Sequence, residues 1–265
     1  MKKIITLIIS VILVFTFVSC SSSEKGGDDK TIKVGASPVP HKEILEAAKP
    51  LLEKEGYKLE IIEFTDYVIP NNSLNDKSID ANFFQHIPYL NNTVKEKGYD
   101  LDYTVKVHLE PLGIYSKKIK DLKELKSGAK ITIPNDPTNG GRSLKLIEKA
   151  GLIKLKDLEN PTVKDIVENK NNYLIEELEA PQLPRTLDEV DISVINTNYA
   201  LEAQLNPTKD SLFIEGSDSP FANILAVRKE DKESPKIKAL SKALTSPEVK
   251  KFIEEKYKGS IVPAF

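Results

Sequence analysis

What this sequence of 265 residues has little of sets its first limits. Cys20 is its single cysteine, so no disulfide can form within the chain. The formal charge is only −2, and the lysines are interspersed with acidic residues, which excludes the one-sided basic surface of a nucleic-acid binder. There is no Gly-x-Ser-x-Gly elbow and no His-Glu-x-x-His helix, so the usual hydrolase machinery is missing and no enzyme is expected. No internal repeat occurs, and beyond the N-terminus no apolar run approaches the ~20 residues of a membrane-spanning helix. Three histidines, His41, His86 and His108, form no close pair in sequence. All three fall near expected strand ends and could converge on zinc, so a metal importer's binding protein is a rival reading; the main reading needs no metal and no cofactor.

The first residues supply what the rest lacks. Lys2-Lys3 precede an uncharged run from Ile4 to Val18, followed by Ser19-Cys20. That is a basic, then apolar, then small-residue order, too short to span a bilayer, and it reads as an export signal over residues 1–19. A lone cysteine directly after the run resembles the lipobox of bacterial lipoproteins, with Phe17 where leucine is usual. Cys20 is therefore the expected lipid anchor. Residues 20–30 carry Ser, Gly and charge without an apolar residue after Cys20, as a flexible tether would.

From residue 31 strand and helix patterns alternate. Ile32–Ala36 is strand-like, and Glu43–Glu55 is an amphipathic helix with Ile44, Leu45, Ala48, Leu51 and Leu52 inward, ending at Gly56. Lys58–Phe64 is a strand; a polar turn holds Pro70 and two asparagines; Asp80–Phe83 is a short strand; and a helix runs from Ile87 to Lys97 before Gly98. Tyr103–Leu109 is the next strand. After Pro111-Leu-Gly113 a second series starts, with strands near 130–134, 173–176 and 192–195, and a helix from about Tyr199 to Leu205. The chain then returns with a strand over Asn223–Arg228 and helices over Pro235–Leu244 and Pro247–Tyr257. This rhythm predicts an α/β fold of two lobes crossed twice by the chain, one comprising residues 31–112 and 221–265 and the other 113–220.

The stretch Lys130-Ile-Thr-Ile-Pro134, then Asn135-Asp-Pro-Thr-Asn-Gly-Gly-Arg142, reads as strand, tight loop and helix. Its glycines permit unusual backbone, Thr138 or Asn139 can cap the helix, and Arg142 suits a carboxylate held bidentately. It lacks the Gly-Lys-Ser/Thr ending of a nucleotide-hydrolase phosphate loop. Ligands in open α/β sheets bind beyond the carboxyl ends of strands. There Tyr67, Phe83, Phe84 and His86 offer flat apolar faces, and Asn196, Asn198 and Asn223 offer paired donors and acceptors. Such a cleft suits a small molecule with an apolar tail and a zwitterionic head. If Phe83 and Phe84 lie on a strand they face opposite sides, so at least one belongs to the core.

Six segments in order, Val34-Gly-Ala-Ser-Pro-Val-Pro-His41, Phe64-Thr-Asp-Tyr-Val68, Ala81-Asn-Phe-Phe-Gln-His86, Ile133-Pro-Asn-Asp-Pro-Thr-Asn-Gly-Gly-Arg142, Val194-Ile-Asn-Thr-Asn-Tyr199 and Val262-Pro-Ala-Phe265, closely resemble the methionine-binding lipoproteins of bacterial methionine ABC importers. The resemblance implies a two-lobed periplasmic-binding-protein fold that closes on methionine, or on a derivative or methionyl dipeptide. It implies a monomer, lipid-anchored on the extracytoplasmic face of the membrane, that delivers ligand to an ABC permease and its ATPase. It also assigns Arg142 to the ligand carboxylate, Tyr67, Phe84 and His86 with Phe83 to the thioether, and Asn198 and Asn223 to the amino-acid head.

Overall fold

The computed structural model describes residues 30–216 and 219–265; the export signal, Cys20 and the tether through residue 29 lie outside them. The chain begins with β1 (Thr31–Ala36), α1 (Glu43–Lys54), β2 (Lys58–Glu63), α2 (Ile69–Asn75), β3 (Ala81–His86), α3 (Ile87–Lys97) and β4 (Leu101–Leu109). It then crosses to a second sheet, through β5 (Gly113–Tyr115), β6 (Lys130–Pro134), α4 (Pro137–Lys149), a short ribbon of β7 (Lys154–Leu155) and β8 (Ile166–Glu168), β9 (Leu174–Leu178), β10 (Ile192–Ile195), α5 (Thr197–Glu202), α6 (Pro207–Asp210) and β11 (Ser211–Ile214). It returns with β12 (Ala222–Arg228), α7 (Pro235–Leu244), α8 (Pro247–Tyr257) and β13 (Val262–Pro263).

The first sheet has the order β13-β4-β12-β3-β1-β2. Strands β1, β2 and β3 pair in parallel, while the returning β12 inserts antiparallel between β3 and β4. Every residue of β3 and β12 is buried, as central strands covered by helices on both faces must be. One face carries Ile44, Leu45, Ala48 and Leu52 of α1 with Ile237, Leu240, Val249 and Ile253 of α7 and α8; Leu51, expected inward, packs at its margin and is half-buried. The other face holds Leu74, Ile79, Leu90 and Ile224. The second sheet, β11-β5-β10-β6-β9, has its own core around Ile114, Ile131, Ile133, Leu144, Ile147 and Val194. Among the described residues, no helix is long and apolar enough to cross a membrane.

Two local expectations are corrected. The polar turn at Pro70 is the helix α2, and in the turn that leads into it Asp66 Oδ1 accepts from the backbone N–H groups of Val68 and Ile69 at 2.7 and 2.8 Å. Asn71 is buried there in amide hydrogen bonds with Asn82 and Gln85 of β3, a tertiary partnership that local propensity does not reveal. Likewise α4 starts at Pro137, ahead of the glycines, and its cap is Asp136, whose Oδ1 accepts from Asn139 N at 2.9 Å. Gly140 and Gly141 are therefore helical. A Cβ on Gly140 would meet Pro134 O at 2.9 Å and one on Gly141 would meet Asn160 Cα at 3.2 Å, so here glycine serves close packing and not a turn.

Candidate functional site

The ends of β3 and β4, the N-terminal turns of α3, α4 and α5, and the start of β12 converge between the two sheets. They surround a cavity lined by Tyr67, Phe84, His86, Tyr89, Glu110, Asn139, Arg142, Asn196, Asn198 and Asn223 among others.

One end of the lining is aromatic. The rings of Tyr67, Phe84 and Tyr89 lie with centroids 5.8–5.9 Å apart pairwise, within the range of favourable ring contact. His86 completes this end as a neutral imidazole. Its Nδ1 accepts from Tyr89 N at 3.1 Å, so the proton sits on Nε2, which donates to Asn139 Oδ1 at 3.1 Å. Burial, reinforced by the Arg142 charge, lowers its pKa to about 3.

The other end is polar. Arg142 is buried, its guanidinium stacked over Phe221 at 4.2 Å. Nε donates to Glu215 Oε1 at 3.0 Å, and Nη2 donates to Glu110 O at 2.8 Å and also to Glu215. Nη1 is left without a partner among the described residues. Asn198 accepts from Tyr67 Oη at 2.6 Å while its Nδ2 is buried and unpaired; Asn196 donates to Asn139 Oδ1 at 2.9 Å while its own Oδ1 is buried and unpaired. Buried polar atoms are costly to leave unsatisfied, so orphans lining a cavity point to a polar ligand. Glu110 adds a buried carboxylate whose Oε2 accepts from Asn198 N at 3.1 Å.

Of the residues expected from sequence, Arg142, Tyr67, Phe84, His86, Asn198 and Asn223 all line this cavity. Phe83 does not: it is fully buried on the opposite face of β3, in the core under α1, with its ring edge-on to His41 and His108 at 4.7 and 5.3 Å. Phe83→Leu is accordingly expected to lower the unfolding free energy of the ligand-free protein by about 1–2 kcal/mol. An unchanged urea midpoint would remove it from the core.

Two of the three histidines, His41 and His108, do converge: with Glu110 their ligand atoms lie within 4.8 Å of one another, close enough to share one ion, and His86 stands apart from them. His86 faces the cavity, whereas His41 and His108 pack against each other with centroids 5.0 Å apart and hydrogen-bond to Glu110 and Asn223. Sequence reading did not assign Glu110, Tyr89 or Asn139 to the lining. Tyr89 was findable three residues after His86, on the same face of a helix start. Glu110 was findable as an acid directly after the strand end Val107-His-Leu109 and before Pro111.

Two α/β lobes, each on its own sheet, joined by two crossings and enclosing a polar and aromatic cavity, define the periplasmic-binding-protein fold. The chain belongs to the NlpA lipoprotein family, whose sequence model matches residues 32–265. It is 46% identical over 248 residues to the D-methionine-binding lipoprotein MetQ of Salmonella typhi, covering 92% of this chain and 91% of that one. Among solved structures it resembles a nutrient-binding protein from Burkholderia cenocepacia bound to methionine (TM-score 0.86, 49% identity, 88% of this chain and 100% of that one). It also resembles a periplasmic substrate-binding protein of an ABC transporter from Coxiella burnetii (TM-score 0.85, 45% identity, 88% and 100%).

Proposed function

We propose that this protein is the substrate-binding lipoprotein of an ABC importer. It captures methionine between its lobes at the extracytoplasmic face, is held there as a monomer by lipid on Cys20, and hands the ligand to a membrane permease powered by an ATPase. The observation that carries this reading is the division of one cavity into an aromatic end and an end with orphan donors and acceptors. Arg142 Nη1 and Asn198 Nδ2 suit a carboxylate; Glu110 and Asn196 Oδ1 suit an ammonium; Tyr67, Phe84, Tyr89 and neutral His86 suit a thioether, whose sulfur gains ~0.3–1.5 kcal/mol against aromatic rings. Names and bound ligand among the relatives support the same choice.

In the proposal lobe I is residues 31–112 with 221–265, lobe II is 113–220, and the crossings near Leu112-Gly113 and Ser219–Phe221 are hinges. Hydrogen bonds join the two lobes: Tyr67 of lobe I donates to Asn198, His86 of lobe I to Asn139, and Tyr199 Oη of lobe II to Thr65 O at 3.1 Å. A ligand touching both sides adds to these and shifts the population toward the closed form that the permease reads.

The test is to denature the purified protein gently, identify any released small molecule by mass spectrometry, and titrate L- and D-methionine calorimetrically. Near one methionine per chain, or saturable heat with thermal stabilisation, is expected. A released methionyl dipeptide would keep the fold and change the substrate; no heat from methionine or its relatives would reject the ligand class.

A further inference from the structure

Behind Glu110 and Asn223 of the cavity lining lie two buried histidines that do not line it themselves. His108, on β4, approaches Glu110 Oε1 with its Nε2 at 2.7 Å. His41, in the turn before α1, places its Nε2 3.3 Å from the same oxygen and 3.0 Å from Asn223 Oδ1. Both Nε2 atoms thus face oxygen acceptors and carry the proton. Both Nδ1 atoms are buried without a partner, which a bare ring nitrogen tolerates and an imidazolium N–H would not. Glu110 Oε2 accepts from Asn198 N, so the carboxylate receives N–H donors on both oxygens. Arg142, which donates to the Glu110 backbone carbonyl, and the carboxyl of Glu202, raised in part by the Glu110 charge, are the further charged groups coupled to it.

A carboxylate this buried tends to take up a proton and become neutral, and a neutral acid has lost its electrostatic reason to prefer an ammonium. Hydrogen bonds to the charged form counter that tendency. Burial pushes the Glu110 carboxyl up from its ordinary range, while His41, Arg142 and the Asn198 N–H oppose the shift. Neither histidine lines the cavity.

We propose that His41 and His108 are positioning residues that hold Glu110 charged and oriented through N–H bonds to one of its oxygens, and thereby set the site's preference for a ligand carrying an α-ammonium. This rests on the amino-acid reading of the cavity. The hydrogen bonds also explain why two histidines sit in a fully buried place where apolar residues would pack equally well.

The experiment compares methionine with 4-(methylthio)butanoate, which is methionine without its amino group, by calorimetric titration of the wild type and the His108→Leu, His108→Gln and His41→Leu variants. The wild type is expected to favour methionine by about 100-fold or more, within the range for a buried charge pair. In His108→Leu that ratio is expected to fall below about 10-fold through weaker methionine binding, with the analogue's affinity little changed; His108→Gln, which returns an N–H near the same point, is expected to recover most of it. Equal weakening for both ligands, leaving the ratio intact, would make the pair merely structural and overturn the proposal, as would an unchanged methionine affinity. Should His108→Leu not fold, the ratio in His41→Leu decides in the same way. Failure of the wild type to bind either ligand would instead reject the underlying reading of the cavity, and the proposal with it.

Discussion

Replacing Arg142 by alanine is expected to weaken methionine binding by about 2–5 kcal/mol, roughly 30- to 5,000-fold in Kd. The guanidinium is held before any ligand arrives: stacked on Phe221, tied through Nε and Nη2 to Glu215, and bonded to the Glu110 carbonyl. A guanidinium fixed in this way can bind a ligand carboxylate at little further cost in side-chain entropy, by a charge-assisted bond formed away from water. Alanine removes the partner of a desolvated carboxylate, which is the expensive half of such a deletion. Lysine is expected to recover little, because one ammonium cannot engage Glu215 along a planar fork and present a further nitrogen to the ligand. Since Arg142→Ala also strands Glu215, the paired variant with Glu215→Gln separates lost ligand contact from damage to the apo protein. Unchanged methionine affinity in Arg142→Ala would sink the site assignment.

Much of this arrangement was legible because it depends on periodicity. The alternation of strand and helix, and the return of the chain after residue 221, follow from apolar spacing, and the buried β12 between β3 and β4 fits that reading. The separation of Phe83 from Phe84 follows from strand geometry alone: adjacent side chains face opposite ways, so one ring enters the core and the other the cavity. What stayed hidden depends on partners far along the chain. Pro70 and its two following asparagines resemble a turn until Asn71 is seen bonded to Gln85. Asn139 looks like a cap, yet its side chain is a junction: Oδ1 accepts from His86 and Asn196, and Nδ2 donates to Asp136 at 2.9 Å. Gly140-Gly141 resembles a loop because sequence shows flexibility and not the backbone packed against it. His41 and His108 were visible as residues, but nothing local indicates that Glu110 would sit between them.

Acidification of the ligand-free protein from pH 7 to 5 is expected to remove about 1–3 kcal/mol of stability, and the buried histidines are the reason. Burial lowers His41 to about 4, and lowers His86 and His108 to about 3, against 6.5 for the free side chain. A depressed folded pKa means that the unfolded chain binds the proton first. The stabilising contribution of each ring is therefore complete above about pH 6.5 and declines as pH falls toward the folded values. Near pH 5 the unfolded chain holds close to one more proton per histidine, so three rings give a slope of about 4 kcal/mol per pH unit. Glu110 and Glu202 act in the opposite sense: burial raises both carboxyls, Glu202 to about 7, so each takes up a proton more readily in the folded state as pH falls, and each reduces the slope by up to about 1.4 kcal/mol per pH unit, less for the part-exposed Glu202. Urea midpoints at pH 7, 6 and 5 measure the result, and His86→Gln, which removes one titrating ring without touching the His41–His108 cluster, should flatten the slope by about 1.4 kcal/mol per pH unit. An unchanged slope in His86→Gln would mean that this ring accepts a proton in the folded state, and the tautomer deduced from its hydrogen bonds would then be wrong.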